Sequence, residues 1–370
     1  MILLNDFKKQ WQETSAGVLD TVNAVGESGW YILGQNVARF EADLAAYWGL
    51  SHAVGVASGL DALELSLRIL GCGPGDLVLT SPISAFATVL AILKLQAIPV
   101  FADCDQYGLI DLDACRGILR RRAGLRYFVP VHLYGHALDL AKLQALRDEF
   151  DLKIVEDCAQ AIGARHDGKV VGTVGQMTAT SFYPTKNLGA LGDGGAILTN
   201  DPALAEKARQ LRDYGQSAKY HHDTLGYNSR LDELQAALLA NVSLPRLDAW
   251  TEVRRRVAGR YLEGIRNARI TVCGAPPGSS SSWHLFPVLI AVAHKDAFRK
   301  HLQACGISSA EHYPLALVEQ VALRQLHGDY IGECTRAREF CHAEVSLPIH
   351  PYLSDEEVET VIEACNSWTP

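Results

Sequence analysis

Several things are scarce in this 370-residue chain, and each scarcity removes a class of function. Basic residues are outnumbered: 34 Lys and Arg against 42 Asp and Glu leave a formal net charge of −8. That balance argues against nucleic acid as the main partner, while leaving room for an anionic substrate held locally. The nine cysteines include no CxxC pair and no metal-type spacing, so they read as reduced thiols of a cytoplasmic protein rather than a disulfide framework. No apolar run approaches a membrane span, and none follows a basic N-terminus, so neither insertion nor export is expected. Internal repeats and low-complexity tracts are also missing. What is present is an ordinary globular balance, 48% apolar and 21% charged. The length suffices for one large domain and a smaller one, each with its own core.

From Ala53 onward the pattern alternates. Short apolar runs at Ala53 to Ala57, Leu77 to Thr80, Pro99 to Phe101, Tyr127 to Val131 and Lys153 to Glu156 read as strands. Helical periodicities lie between them, at Asp61 to Leu70, Ala87 to Leu95, Leu112 to Arg122 and Leu140 to Phe150. This predicts a mostly parallel sheet covered on both faces, with a ligand beyond the carboxyl ends of the strands. The first fifty residues read as a lead-in with one helix, Asn36 to Trp48, and with Trp30 and Tyr31 packed onto the main body. A long polar helix, Pro245 to Arg266, carries the chain out of the large domain. The Pro/Gly/Ser stretch Ala275 to Ser282 is the clearest composition break before a smaller α+β domain.

Chemistry gathers at three predicted strand ends. Thr178 to Tyr183 reads as a strand; Pro184 and Thr185 break it, and Lys186 follows among glycines. Such a lysine is either a loop residue or an amine held in a cleft. In a cleft, desolvation lowers its pKa and makes it a nucleophile towards carbonyls. Ser58-Gly59 opens a helix; it is either an ordinary cap or a set of bare N–H groups suited to phosphate. Asp157 ends an apolar strand, with Gln160 just after it. The pair is either solvated, or placed against a protonated ring nitrogen and a neighbouring oxygen. Ser181 lies five residues before Lys186. A phosphate cradle, an acid for a pyridinium nitrogen and a lysine for an aldehyde together match pyridoxal 5′-phosphate (PLP).

The segments GWYILG (Gly29–Gly34), ASGLDAL (Ala57–Leu63), VPVHLYGH (Val129–His136), VEDCAQAIGA (Val155–Ala164), SFYPTKNLGALGDGGA (Ser181–Ala196), GYNSRLDELQAAL (Gly226–Leu238) and SLPIHP (Ser346–Pro351) extend this reading. Through them nearly the whole chain resembles the nucleotide-sugar aminotransferases of the DegT/StrS type. These are fold-type I PLP enzymes related in architecture to aspartate aminotransferase. The resemblance implies an α/β fold: a large PLP-binding domain over residues 1–245, with a mostly parallel mixed sheet between helices, and a smaller C-terminal α+β domain over 246–370. It implies that Lys186 bonds the cofactor aldehyde and then shuttles protons. Asp157 would hold the pyridine nitrogen and Gln160 the phenolic oxygen. Ser181, with the amides of Ser58 and Gly59, would hold the phosphate. Asn228 would reach the phosphate of a neighbouring subunit, so the site implies a homodimer; read locally, Asn228 is a helix cap. Tyr183, His312 and Tyr313 fall where the family places groups near the sugar or nucleotide. Two positions depart from the pattern. The aromatic that stacks on the pyridine ring is expected three residues before Thr88, where Ala85 stands, so Phe86 is the available aromatic. Leu289 stands where many relatives carry arginine.

The segment around Lys186 is similar to the branch that aminates C3 of a dTDP-linked 3-keto-6-deoxyhexose, with L-glutamate as the usual donor in the family. The rivals are the same transamination on a UDP-linked 3-keto-hexuronate or a 4-keto sugar, and a non-catalytic PLP-fold binding or regulatory protein. Dehydratases of this type carry histidine at the lysine position, so Lys186 speaks against that chemistry.

Overall fold

The computed structural model describes residues 1–323 and 332–370. Seven strands form its central sheet: β1 (His52–Val56), β2 (Leu77–Thr80), β3 (Ile98–Phe101), β4 (Tyr127–Val129), β5 (Lys153–Asp157), β6 (Met177–Ser181) and β7 (Gly195–Thr199). Their order across the sheet is β1-β7-β6-β5-β4-β2-β3, and β7 alone runs against the others. Strand alternation gives each face its own core. Leu79, Phe128 and Ile154 enter one cluster, and Val78, Val129 and Val155 the other. Burial on both faces is what a parallel sheet wrapped by helices requires.

The helices α1 (Phe7–Ser28), α2 (Gln35–Trp48), α3 (Gly59–Ile69), α4 (Phe86–Lys94), α5 (Leu112–Arg121) and α6 (Leu140–Phe150) follow in turn. The observed limits of α3 to α6 fall within two residues of the sequence expectation. The lead-in differs: α1 is a 22-residue helix, capped by Asp6 and ended by Gly29 at φ 63°. It buries only Thr14, Val18, Thr21 and Val25, which is too thin an apolar stripe to stand out in the sequence. Trp30 and Tyr31 are 62% and 57% exposed, so they do not pack onto this chain. The strand expected over Thr178 to Tyr183 stops at Ser181. Beyond it Phe182 N–H bonds Gly194 O, and Ala190 N–H returns to Phe182 O, closing a loop around Lys186.

After α7 (Pro202–Arg212) and α8 (Glu233–Leu238), the helix α9 (Leu247–Gly264) leads to a second, three-stranded antiparallel sheet. Its strands are β8 (Ile270–Val272), β9 (Phe286–Ile290) and β10 (Glu344–Leu347), with β9 central. The helices α10 (Lys295–Ala304), α11 (Thr335–Ala343) and α12 (Asp355–Ser367) accompany it. Its core cluster takes in Ile2 from the opposite end of the chain. The Pro/Gly/Ser stretch is stitched to the central-sheet side: Ser279 pairs with His166, and Ser281 Oγ donates to Gly135 O at 2.8 Å.

Candidate active site

Lys186, Asp157 and the Ser58-Gly59 turn stand at or just after the carboxyl ends of three strands of the central sheet. β5 ends at Asp157, β6 at Ser181, and β1 is followed by Ser58 and α3. Asp157 is buried, and its Oδ2 accepts from Thr88 Oγ1 at 2.9 Å while Oδ1 accepts from Ala159 N–H at 3.1 Å. Burial pushes its carboxyl up; the Ala159 and Thr88 hydrogen bonds and the Lys186 charge pull the other way. Lys186 is partly accessible along its side chain. Its amine is nonetheless desolvated enough to fall to about 8, against an opposing pull from Asp157. At neutral pH a useful fraction is therefore free amine, the nucleophilic form.

The cradle is built by close approach. Ser58 caps α3: its Oγ accepts from Asp61 N–H at 3.1 Å and its carbonyl from Ala62 N–H at 3.0 Å. Among the described residues nothing accepts from the Gly59 or Leu60 N–H, so the positive end of α3 stays open to an anion. A Cβ on Gly59 would stand 2.7 Å from Ser181 Cβ, and one on Gly195 2.4 Å from the Ser58 carbonyl carbon. Only glycine at both places lets β6, β7 and α3 converge. The cap and the cradle are thus one structure. With the buried acid and the desolvated lysine, it fits the phosphate, ring nitrogen and aldehyde of PLP.

The remaining expected residues divide. Gln160 is buried; its Oε1 accepts from Tyr134 N–H at 2.8 Å and its Nε2 donates to Tyr313 Oη at 3.1 Å. Tyr313 is thereby tied to the site, and burial raises its phenol well above the usual range. His312 Nδ1 lies 2.9 Å from Ser346 Oγ, and burial, then the Lys186 charge, lowers its ring to about 4. Phe86 begins α4, two residues before the Asp157 partner Thr88, and is 36% exposed. Tyr183 is exposed beside Ser181, whose Oγ accepts its N–H. Asn228 is not drawn into this chain's own site. Its side chain is exposed and makes none of the described hydrogen bonds. It is also no helix cap, because Asp232 caps α8. Next to it, Ser229 donates to Asp61 Oδ2 at 2.7 Å, fixing the loop to α3.

Sequence reasoning missed several groups. His284 is buried with Nδ1 3.3 Å from Asn187 Oδ1; burial, then the charges of Lys186 and Arg254, keep it neutral. Asn187 in turn donates to Ser282 O at 2.9 Å, fixing the residue next to the lysine. Thr88 and Tyr134 orient Asp157 and Gln160. Thr88, used as a register point, and Tyr134, within Val129–His136, lay in segments that drew notice; His284 and Asn187 are set by partners far away along the chain.

The model of the DegT/DnrJ/EryC1/StrS aminotransferase family matches residues 13–366. A dTDP-3-amino-3,4,6-trideoxy-α-D-glucose transaminase of Streptomyces venezuelae is 42% identical over 374 residues, spanning 98% of this chain and 95% of its own. A UDP-N-acetyl-3-dehydro-α-D-glucosamine 3-aminotransferase of Acidithiobacillus ferrooxidans is 38% identical over 345 residues, spanning 93% and 91%. The crystal structure of DesV from S. venezuelae matches with a TM-score of 0.93 at 40% identity, over 100% of this chain and 98% of that one. With a desolvated lysine, a buried acid and a phosphate cradle on this fold, the chain belongs to the DegT/DnrJ/EryC1/StrS family and is a PLP-dependent sugar-nucleotide aminotransferase.

Proposed function

We propose that this enzyme moves an amino group from L-glutamate to the C3 keto group of a dTDP-linked 3-keto-6-deoxyhexose, in the cytoplasm and as a homodimer. The observation that carries the substrate is the 42% identity, across 98% of the chain, to a dTDP-3-amino-sugar transaminase. A UDP-linked 3-keto sugar is the second reading, favoured by the 38% relative.

When bound, PLP supplies the electron sink for the exchange of nitrogen. The chain's own groups would do the rest. Asp157, held by Thr88, would keep a proton on the pyridine nitrogen, and Gln160 would offer its remaining amide N–H to the phenolic oxygen. Ser181 and the first amides of α3 would grip the phosphate. Lys186 Nζ would take and return protons at the reacting carbon. Phe86 would lie against the ring, and Tyr183, His312 and Tyr313 would line the sugar side. Asn228 would act on the cradle of a second copy. Exposed Trp11, Trp30, Tyr31, Tyr220 and Leu225 support such a partner, since large apolar side chains left in water are costly unless covered. The division into residues 1–245 and 246–370 would put the cofactor groups in the first part, with His312 and Tyr313 reaching in from the second.

The test is an assay of PLP-loaded enzyme with L-glutamate and matched dTDP- and UDP-linked 3-keto sugars. The dTDP sugar should show the higher kcat/KM; preference for the UDP sugar would install the second reading. A monomer with full activity would refute the shared site.

A further inference from the structure

The His312 ring lies close enough to Lys186 to feel its charge, and two buried residues decide what that ring offers. Glu344 and Ser346 are both fully buried on β10. Glu344 Oε2 accepts from His312 N–H at 2.6 Å, and Glu344 Oε1 accepts from Ser346 Oγ at 2.6 Å. Ser346 Oγ is also 2.9 Å from His312 Nδ1. A hydroxyl has a single proton. If Ser346 gives it to Glu344, then His312 Nδ1 must be the donor to Ser346. The other ring nitrogen, Nε2, has no described partner and is left as a bare acceptor.

We propose that Glu344 and Ser346 are positioning residues that set the hydrogen-bonding sense His312 shows to the sugar nucleotide. With Glu344 ionised, Nε2 accepts, which suits a sugar hydroxyl. With Glu344 protonated the chain runs the other way. Glu344 Oε1–H donates to Ser346 Oγ, Ser346 donates to Nδ1, and Nε2 carries the proton. The exchange balances: a proton from solvent bonds to Nε2 as the Nδ1–H bond breaks and its proton passes to Ser346 Oγ. The proton formerly on Ser346 moves to Glu344 Oε1. This inference rests on the reading of His312 as a substrate-side group.

The surroundings leave Glu344 free to make this change near neutral pH. The cross-strand position opposite it is Leu289, which brings no charge. Lys295 and Glu311 are the nearby charged groups, and they pair with each other at 3.1 Å. Tyr134, Tyr313, Cys273 and Cys341 also feel Glu344; burial raises all four, so they stay neutral through the range. Burial lifts Glu344 itself to about 7, against its two hydrogen bonds and Lys295. The His312 ring, lowered to about 4, changes tautomer rather than charge between pH 6 and 8.5.

The experiment has two arms. In ¹⁵N-histidine-labelled enzyme, assigned with His312→Gln, the protonated and bare nitrogen signals of His312 should exchange places as pH falls through about 7. Glu344→Gln, which can donate to Ser346 at every pH, should lock the Nε2–H form. Ser346→Ala should abolish the exchange, and Leu289→Arg should move it to lower pH. In the second arm, KM for the sugar nucleotide should change several-fold over the same range with kcat steady. The KM inflection should vanish in Glu344→Gln and shift in Leu289→Arg. Fixed His312 signals in wild type overturn the relay, and so does an exchange that survives Ser346→Ala. Exchange with a pH-independent KM overturns its action on substrate. If no sugar nucleotide is turned over, the proposed function fails while the nuclear signals still decide the relay.

Discussion

Two consecutive acids at the end of β5 meet opposite fates. Glu156, behind the sheet, is fully buried and accepts from Gly172, Val174 and Gly175 N–H at 3.0, 2.7 and 2.6 Å. His132 Nε2 adds a fourth partner at 3.0 Å, and its Nδ1 accepts from Leu138 N–H, so the ring donates to the acid. Burial alone would raise the Glu156 carboxyl, but His132 and the amides hold it below its ordinary value. Asp157, on the site side, has one hydroxyl and one amide, and its pKa is raised. A carboxylate given every partner it can use is scaffold. One left with spare acceptor capacity beside a desolvated lysine is poised for a ligand.

The largest effect should come from the lysine. Lys186→Ala is expected to lower turnover by roughly 10³-fold or more while the protein still melts cooperatively, as read by single-turnover rates and a thermal scan. Next come the two acids, which should separate cleanly. Glu156→Ala strands three amides and His132 and should cost about 3–5 kcal/mol in urea unfolding. Asp157→Asn should cost less than about 1.5 kcal/mol yet slow kcat about 100-fold. Equal losses of stability in the two variants would erase the distinction drawn here.

Gly59→Ala sharpens the comparison at the cradle. The added methyl meets Ser181 Cβ at 2.7 Å, and a loss of about 1.4 kcal/mol would weaken PLP binding tenfold, measured by equilibrium titration of the apoenzyme. The smallest effect is in pH. The Lys186 pKa is lowered, so the free amine grows as pH rises to about 8 and is complete above it. PLP reloading of apoenzyme should climb about tenfold per pH unit below that value and then level off. A climb continuing towards pH 10 would mean an unshifted lysine. The shift also acts on stability: the cost of holding Lys186 in the fold is full below about 8, falls as pH rises from there towards the ordinary lysine value of 10.5, and is gone above that value.

Much of the framework was legible along the chain because its causes are local. Apolar periodicity reveals α3 to α6 and the parallel strands between them, and the Lys186 loop is marked by Pro184 and a crowd of glycines. β7 escaped notice because its glycine-rich start reads as loop; it becomes a strand only by pairing against β1 and β6. The helix α1 escaped because its stripe is thin and its docking partners lie elsewhere. Lys9, for example, pairs with Glu357 at 2.7 Å. Trp30 and Tyr31 were misplaced because an aromatic pair reads as core along the chain, whereas both side chains are exposed.

The amino-acid sequence by itself determined the family and singled out Lys186, Asp157 and the glycines around Ser58 as the candidate site, since each is a residue type at a fixed local offset. Tertiary structure alone decided that Glu156 is saturated with partners while Asp157 is not, that Gln160 is held by Tyr134 and Tyr313, and that His312 is backed by Ser346 and Glu344. Those outcomes depend on contacts across up to 153 residues of chain. The physical reason is that a side chain's protonation and hydrogen-bonding sense follow from what surrounds it after folding, and strand alternation assigns neighbouring residues to different surroundings.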